Sequence, residues 1–252
     1  MDNFMNSLSI FKNDAIWIYL MKGIAFTLIV SIIAVIVGIL LGSILALVRN
    51  YCYVPKAHLF KRMIATIFRW LATAYIELFR NTPLLLWIFI CLVFCPYPGF
   101  LEHKMFGLSS AEVKLLFKGT VALVLFTSSV IAEIIRGGLN SVDEGQIEAG
   151  KSQGFHMVQI MIYIVLPQAF RNIIPTLLSQ VITTIKDSSY LANVAVIEFM
   201  ARVKKLLSSA YNYNGTGTIN VSDVFVLFGF AALVYFVINF SLSCVVRRMR
   251  KA

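Results

Sequence analysis

Charged residues are scarce in this sequence. Asp, Glu, Lys and Arg make up 13% of its 252 residues, against about 25% in an average soluble domain. Apolar residues make up 59%, and the mean hydropathy is +0.83. A soluble domain of this size would expose far more charge on its surface. The composition therefore excludes soluble, disordered and coiled-coil proteins and predicts an integral membrane protein.

Cysteine and histidine are also rare, with four and three residues. Cys91 and Cys95 lie four residues apart in an apolar run, which predicts neither a disulfide framework nor a zinc site. His58, His103 and His156 lie in separate segments without a His-Glu-x-x-His pattern, and no Gly-x-Ser-x-Gly nucleophile motif occurs. We therefore expect no metal site and no catalytic residue, which argues against a membrane-embedded enzyme.

Basic residues outnumber acidic ones by 22 to 12. Most of them lie between apolar runs and at the C-terminus, so we interpret the excess as a membrane-topology signal and not as a nucleic-acid interface. The first sixteen residues lack the cationic region of a signal peptide, and the apolar run that follows is longer than a signal-peptide core. This run is expected to remain in the protein as its first membrane helix.

Five apolar segments are long enough to cross a membrane, which takes about 20 residues. The second segment carries Arg69, Glu77 and Arg80. We predict that it forms one long helix with a kink at Thr82-Pro83. The five spans are predicted at about 17–48, 63–98, 117–135, 172–197 and 223–246.

The distribution of Lys and Arg predicts the orientation of these spans. Segments 49–62, 136–171 and the C-terminus from Arg247 hold eleven of these residues, whereas the three other segments between and before the spans hold seven. Cytoplasmic loops are enriched in positive charge, so the first three segments are placed in the cytoplasm. The prediction is five crossings, with a short N-terminal segment, 1–16, outside and the C-terminus in the cytoplasm.

Residues Gly145 to Ser152 match the Walker A pattern of nucleotide-binding loops. A P-loop needs a preceding β-strand, whereas Ile131 to Leu139 belongs to the end of a predicted membrane helix. Glu148 would also face the bound phosphates. We therefore interpret the match as accidental and expect no nucleotide site in this chain.

The same segment is similar to the EAA loop of ABC importer permeases. That pattern reads Glu-Ala-Ala, three residues, Gly, nine residues, Ile, one residue, Leu-Pro, and only Gly150 departs from it. The matching residues are Glu148, Ala149, Gly154, Ile164, Leu166 and Pro167. Segments Glu77 to Leu85, Ala132 to Gly138 and Lys186 to Tyr190 resemble motifs of the polar amino acid permeases in the same family, with Asn81 where Gly is usual.

The resemblance implies an all-α, type I ABC importer permease fold over residues 22–246, in a bacterial inner membrane. It implies ATP-driven uptake of a polar amino acid, with ATP and Mg bound by two separate ATPase subunits and no cofactor in this chain. A second permease copy, alike or different, and an extracytoplasmic binding protein are further implied partners. Residues 136–171 would form the cytoplasmic loop that docks on the ATPase. The alternative is a secondary transporter or channel, against which the EAA-like loop argues.

The coupling loop also carries its own helix signals. Ser141 and Glu144 are spaced as a capping box, which predicts a helix that runs through Glu148 to Ser152. Gly154 is expected to supply the turn at the end of this helix. A second helical stretch is predicted from Met157 to Val165.

Ionisable residues at membrane depth are costly and rarely face lipid. Glu77 with Arg80, and Glu133 with Arg136, are spaced i, i+3, so each pair is predicted to neutralise itself on one helix face. We interpret Glu133 and Arg136 as a structural pair.

A polar stripe follows the fourth predicted span, where Ser179, Thr183 and Asp187 recur every four residues, and so do Thr176, Gln180, Thr184 and Ser188. Small polar residues often serve helix packing in membranes, which is the alternative interpretation. A stripe that also carries Lys186 and Asp187 exceeds what packing needs, so we predict that it lines a translocation path. An amino acid requires a cation for its carboxylate and an acceptor for its ammonium group. The candidate path residues are Glu77, Arg80, Thr183, Lys186 and Asp187.

Overall fold

The computed structural model describes residues 2–51, 59–99 and 107–249. Within these ranges the chain is helical and contains no β-strand. Cys52, Lys56, His58, His103 and the last basic residues, from Arg250, lie outside the described residues. The α-helices are α1 (Asp2–Leu8), α2 (Asp14–Tyr51), α3 (Leu59–Arg80), α4 (Leu84–Phe94), α5 (Ser110–Asn140), α6 (Glu144–Ser152), α7 (Met157–Ile160), α8 (Leu166–Asp187), α9 (Phe199–Ser208) and α10 (Val221–Met249).

Several of these helices are long and apolar enough to cross a membrane. In the described residues there are four such segments, namely α2, α5, the run from α7 through α8, and α10. The helix pair α3 and α4 supplies a fifth if the two count as one broken span. The described helices therefore confirm the predicted all-α membrane architecture, with four to five candidate spans where five were predicted.

The prediction of one long helix over 63–98 is wrong. Helix α3 ends at Arg80, α4 begins at Leu84, and the two meet at a bend of 113°. The break falls at the predicted Thr82-Pro83, because proline lacks a backbone N–H and forces the preceding residue out of the helical region. The Thr82 hydroxyl donates to the Leu78 carbonyl at 2.6 Å and so satisfies one free acceptor at the end of α3. Two helices with a sharp corner replace the expected kink.

The fourth span begins earlier than predicted. Instead of starting near residue 172, the helical run starts at Met157 and passes through a π-turn at Met161–Val165 into α8. Pro167 explains the π-turn, because the ring of a proline in an α-helix clashes with the carbonyl four residues before it. The wider π-turn relieves this clash. At its other end α8 stops at Asp187, and a 3₁₀ segment continues over Ser188–Val194.

The chain divides into two compact units, which we describe separately. The first unit comprises residues 1–34, 85–123 and 182–244. Its core joins the start of α2 to α9 and α10 through Leu20, Phe199, Val203 and Leu227, all at most 1% exposed. Phe11, Trp17 and Phe230 form an aromatic group beside this core, with ring centroids 4.9–5.6 Å apart.

The second unit comprises residues 35–84, 124–181 and 245–252. Its main core lies where the end of α5 meets the run from α7 into α8, and its central residues are Leu139, Ile160, Val165 and Ile173. A smaller cluster of Ala46, Ile76 and Ala132 joins α2, α3 and α5. Small residues allow these helices to approach closely, as is common in membranes.

Large apolar side chains are exposed along α2. Ile29, Ile32, Ile36, Leu40 and Ile44 are each about half exposed. Their spacing of three to four residues places them on one helix face. An apolar stripe of this length would be unfavourable in water and fits contact with lipid.

Candidate functional site

The predicted coupling helix is present as α6, but its cap differs from the prediction. The N-cap is Asp143, whose Oδ1 accepts a hydrogen bond from the Gly145 N–H at 2.6 Å. The capping box predicted at Ser141 is wrong, because the Ser141 hydroxyl donates to the Gly138 carbonyl instead. An Asp carboxylate at a helix N-terminus also interacts favourably with the helix dipole, which favours this later start.

Gly154 ends α6 as predicted. Its φ of +83° lies in the left-handed region that favours glycine. The Gly154 N–H donates to the Lys151 carbonyl at 3.0 Å, and the Phe155 N–H donates to the Gly150 carbonyl at 3.1 Å. These bonds close the last turn and direct the chain into α7.

The one departure from the EAA pattern, Gly150, has a packing reason. Gly150 is buried, and a Cβ built on it would lie 2.9 Å from Ile160 Cγ1 and 3.0 Å from Ile164 Cδ1. The alanine that the pattern prefers would therefore collide with α7 and the π-turn. In this chain glycine allows α6 to lie close against both isoleucines.

One side of the predicted coupling loop carries exposed side chains. Glu148 and Ala149 are exposed on α6, and the apolar side chains of Phe155, Met157 and Val158 are exposed beside it. We call these five residues the docking face, after the role that the resemblance predicts for this loop. Of the other pattern residues, Leu166 is half-buried and Pro167 is exposed. The Walker-like residues Gly145 to Ser152 lie inside α6, a helix and not a phosphate-binding loop.

Five charged residues of the second unit form an ion-pair network. Glu133 pairs with Arg136 as predicted, and also with Arg49 at 3.0 Å and Arg80 at 3.8 Å. Glu77 pairs with Arg49 at 3.2 Å. The predicted Glu77–Arg80 pair is therefore wrong, since each residue contacts a partner on another helix. The sequence offers no signal for the role of Arg49, which lies in the basic segment 49–62, because no local spacing links α2 to α3 and α5.

The polar stripe on α8 has two different sides. Gln180, Thr184 and Ser188 are buried, so this side serves helix packing. Thr183 and Asp187 are half-buried and Lys186 is exposed. Packing therefore accounts for half of the stripe, and the predicted path residues of this helix, Thr183, Lys186 and Asp187, lie on its other half.

A buried carboxylate that the sequence did not reveal lies in the first unit. Glu198 caps α9, where its Oε1 accepts from the Ala201 N–H at 2.6 Å, and its Oε2 accepts from the hydroxyls of Thr27 and Tyr235 at 3.1 and 3.3 Å. Burial raises the pKa of Glu198 to about 6. The sequence does contain a signal for this helix cap, since a glutamate directly precedes the amphipathic segment of α9. The segment is too short and too polar to be predicted as a membrane span, so the cap was missed.

Comparison with known families identifies one model that matches. It is the family described as "Binding-protein-dependent transport system inner membrane component", and the match covers residues 57–252. Similar proteins include the probable glutamine ABC transporter permease protein GlnM of Bacillus subtilis, 36% identical over 98% of this chain and 97% of the relative. Another is the glutamate/aspartate import permease protein GltK of Escherichia coli O157:H7, 34% identical over 92% of each chain. The arginine transport system permease protein ArtQ of Bacillus subtilis is 30% identical over 77% of this chain and 79% of the relative.

Solved structures of ABC transporters are also similar to this chain. One is the crystal structure of an amino acid ABC transporter with histidines, which is 26% identical and has a TM-score of 0.70. The match covers 92% of this chain and 93% of the other. The methionine ABC transporter MetNI in an inward-facing conformation has a TM-score of 0.64 over 94% of this chain and 99% of the other, at 18% identity. The latter likeness concerns the fold alone.

Proposed function

This chain belongs to the family of binding-protein-dependent transport system inner membrane components, and we propose that it forms the translocation path for a polar amino acid in an ATP-driven importer. The observation that carries the proposal is the EAA-like segment, which folds as an exposed helix closed by Gly154. A transporter that works without an ATPase has no use for such a docking helix. Relatives named as glutamine, glutamate/aspartate and arginine permeases support a polar amino acid as substrate.

Coupling to ATP hydrolysis would pass through the docking face. The exposed apolar side chains of Phe155, Met157 and Val158 offer a surface that a partner can cover. Behind this face, Gly150 packs against Ile160 and Ile164. Movement of a bound ATPase would therefore be transmitted from α6 to the helical run that leads into α8.

The translocation path would use the open half of the α8 stripe. Lys186 lines a groove of about 390 Å³ beside Tyr235 and Asn239 of α10. Thr183, Lys186 and Asp187 together offer a hydroxyl, a cation and a carboxylate, which suit the two charged groups of an amino acid. Glu77 and Arg80 stay candidates for this path, although both already take part in the ion-pair network.

The assembly would contain this chain, a second permease copy, two ATPase subunits that bind ATP and Mg, and an extracytoplasmic binding protein. The N-terminus would lie outside and the C-terminus in the cytoplasm. This orientation places α6 on the side where ATP is available.

A test of coupling is to reconstitute the complex and compare wild type with Glu148→Arg and Gly154→Val. Both variants should lose most uptake of labelled L-glutamine, L-glutamate or L-arginine, whichever the wild type transports, together with stimulated ATP hydrolysis. Asp14→Arg, an equal charge reversal at the start of α2, is the matched control and should transport normally. Full uptake and full ATPase stimulation in the Glu148 and Gly154 variants would refute the docking role.

Orientation can be tested by labelling single cysteines. In a background without the four native cysteines, Ser152→Cys should react with impermeant reagents only from the cytoplasmic side, and Thr216→Cys only from outside. Both positions are exposed. Labelling of both from the same side would contradict the proposed five crossings.

A further inference from the structure

The first unit contains a cavity at the start of α2 and α9. Its volume is about 780 Å³, and its lining includes Tyr19, Lys22, Glu112, Arg202 and Lys205. The lining residues come from segments 15–26, 107–115 and 192–205, which are the ends of elements that the predicted orientation places outside. None of these lining residues belongs to the α8 stripe or to the docking face.

Arg202 is the unusual member of this lining. It is only 6% exposed, yet no carboxylate of the described residues lies within ion-pair distance of it. Its Nη1 donates to the Tyr19 carbonyl at 3.0 Å, while its Nε is buried without a hydrogen-bond partner among the described residues. Burial of a cation without a paired anion is costly, because the lost hydration is not replaced.

The guanidinium of Arg202 is held in place from several sides. It lies 4.4 Å from the ring centroid of Tyr19 and 5.7 Å from that of Phe26. Gly23 makes room for it, since a Cβ there would lie 2.7 Å from Arg202 Cδ. The nearby carboxylate of Glu198 is not available, because it caps α9 and accepts from Thr27. A methionine would fill this space without an unpaired buried N–H group, so packing alone does not explain the arginine.

The charges around the cavity are unbalanced. Among the described residues that line it, Lys22, Arg202 and Lys205 face one carboxylate, Glu112, so three cations against one anion give this lining a net charge of +2. Glu112 Oε2 accepts from the Ser109 N–H and hydroxyl at 2.7 and 3.0 Å, which leaves its other oxygen without a protein donor in the described part of the chain. The cavity thus offers donors for a carboxylate and an acceptor for an ammonium group.

We propose that this cavity is an outer entry site in which Arg202 binds the α-carboxylate of an incoming amino acid. Lys22 and Lys205 attract the anionic end, and Glu112 accepts from the ammonium group. The proposal rests on the proposed function, from which it takes the substrate class and the orientation. It adds a binding site at the mouth of the permease, before the α8 stripe.

The test measures binding of a labelled amino acid to the purified complex without the binding protein. The probe is whichever of L-glutamine, L-glutamate and L-arginine the wild type transports, and the competitors are the same amino acid and its α-carboxamide. We expect the wild-type complex to bind the amino acid about tenfold or more tightly than its α-carboxamide, because only the carboxylate forms a charge-assisted hydrogen bond with Arg202. Arg202→Gln should reduce this discrimination to about one.

Lys204→Gln is the matched control. Lys204 is the second residue after Arg202 on the same helix, and its Nζ donates to Asn193 Oδ1 at 2.9 Å outside the cavity lining. Lys204→Gln removes the same charge as Arg202→Gln. It should keep the wild-type discrimination between the amino acid and its α-carboxamide. A second variant, Lys205→Glu, covers the case in which Arg202→Gln fails to fold, because Lys205 is exposed. It should weaken binding several-fold, whereas Lys204→Glu should not.

Unchanged discrimination in Arg202→Gln, or unchanged affinity in Lys205→Glu, would overturn this proposal. A wild-type complex that transports none of the three amino acids would instead overturn the proposed function. The two failures are therefore distinguishable.

Discussion

Gly150 of α6 lies directly against Ile160 of α7, at a distance that leaves no space for a Cβ atom. Ile160 is only 1% exposed, so it cannot turn away into solvent. The contact sets the position of α6, which carries Glu148 and Ala149 of the docking face, against α7. It also explains why the one deviation from the EAA pattern occurs at this position.

Gly150→Ala, which would restore the family pattern, should impair this protein. Overpacking costs about 1–3 kcal/mol, whereas the gain in helix propensity is about 1 kcal/mol. We expect a net loss of up to about 2 kcal/mol and weaker ATPase stimulation, measured by thermal unfolding and by hydrolysis in the reconstituted complex. Gly229→Ala in α10 is the control, since a Cβ there has no neighbour within 4 Å. Equal behaviour of the two variants would contradict the packing argument.

Gly137 and Gly138 should respond differently to alanine. A Cβ on Gly138 would overlap Ile173 Cγ1, whereas a Cβ on Gly137 has nothing within 4 Å. Gly138→Ala should therefore lower the unfolding free energy by about 1–3 kcal/mol, while Gly137→Ala should leave it unchanged or raise it slightly. Thermal unfolding in detergent measures both, and a tolerated Gly138→Ala would show that α5 and α8 are not closely packed here.

Arg49 should contribute more to stability than Arg80. Arg49 contacts both Glu77 and Glu133 at 3.0–3.2 Å, whereas Arg80 reaches Glu133 only at 3.8 Å and is more exposed. We expect Arg49→Gln to cost about 1–3 kcal/mol, and Arg80→Gln less than about 1 kcal/mol. Unfolding of both variants in the same detergent tests the order. A larger loss for Arg80→Gln with intact folding would indicate that the network is arranged differently.

Glu198 should make stability depend on pH. Its folded pKa is raised from 4.5 to about 6, so the folded state binds the proton more tightly than the unfolded state. The resulting stabilisation is present below about pH 4.5, declines as the pH rises, and is lost above about pH 6. The shift corresponds to about 2 kcal/mol.

Glu198→Gln removes this titration while it keeps an acceptor for the Ala201 N–H. The melting temperature of wild type relative to this variant should therefore fall by a few degrees between pH 5 and pH 7.5. Glu148→Gln, which removes an exposed carboxylate, serves as the control. A difference that stays constant across this range would mean that Glu198 does not titrate there.

Features that depend on local chemistry were predictable from the sequence. Helix α6, the turn at Gly154 and the break at Thr82-Pro83 follow from neighbouring residues, so their positions agree with prediction. The angle at that break was not predictable, because proline ends a helix without fixing the direction of the next one.

Features that depend on contacts between helices were not predictable. The spacing of Glu77 and Arg80 permits a pair, but it cannot show that Arg49 of α2 lies closer to Glu77. Likewise, two adjacent glycines in one motif look equivalent until Ile173 is placed beside one of them. Nor does the sequence give a signal for Arg202, because only the folded chain shows that none of the described carboxylates lies within ion-pair distance of it.

The π-turn at Met161–Val165 absorbs one residue of chain length. A π-turn accommodates one extra residue within an α-helix, whereas each residue of a regular α-helix advances the angle by about 100°. Deletion of one residue between Met161 and Val165 should therefore leave the faces of α8 unchanged and bring back the clash of Pro167 that the wider turn relieves. Deletion of one residue from the regular part of α8 would instead rotate every later side chain by about 100° relative to its neighbours. The turn thus keeps the span in register with α6 although the chain between them is one residue longer than a regular helix would need.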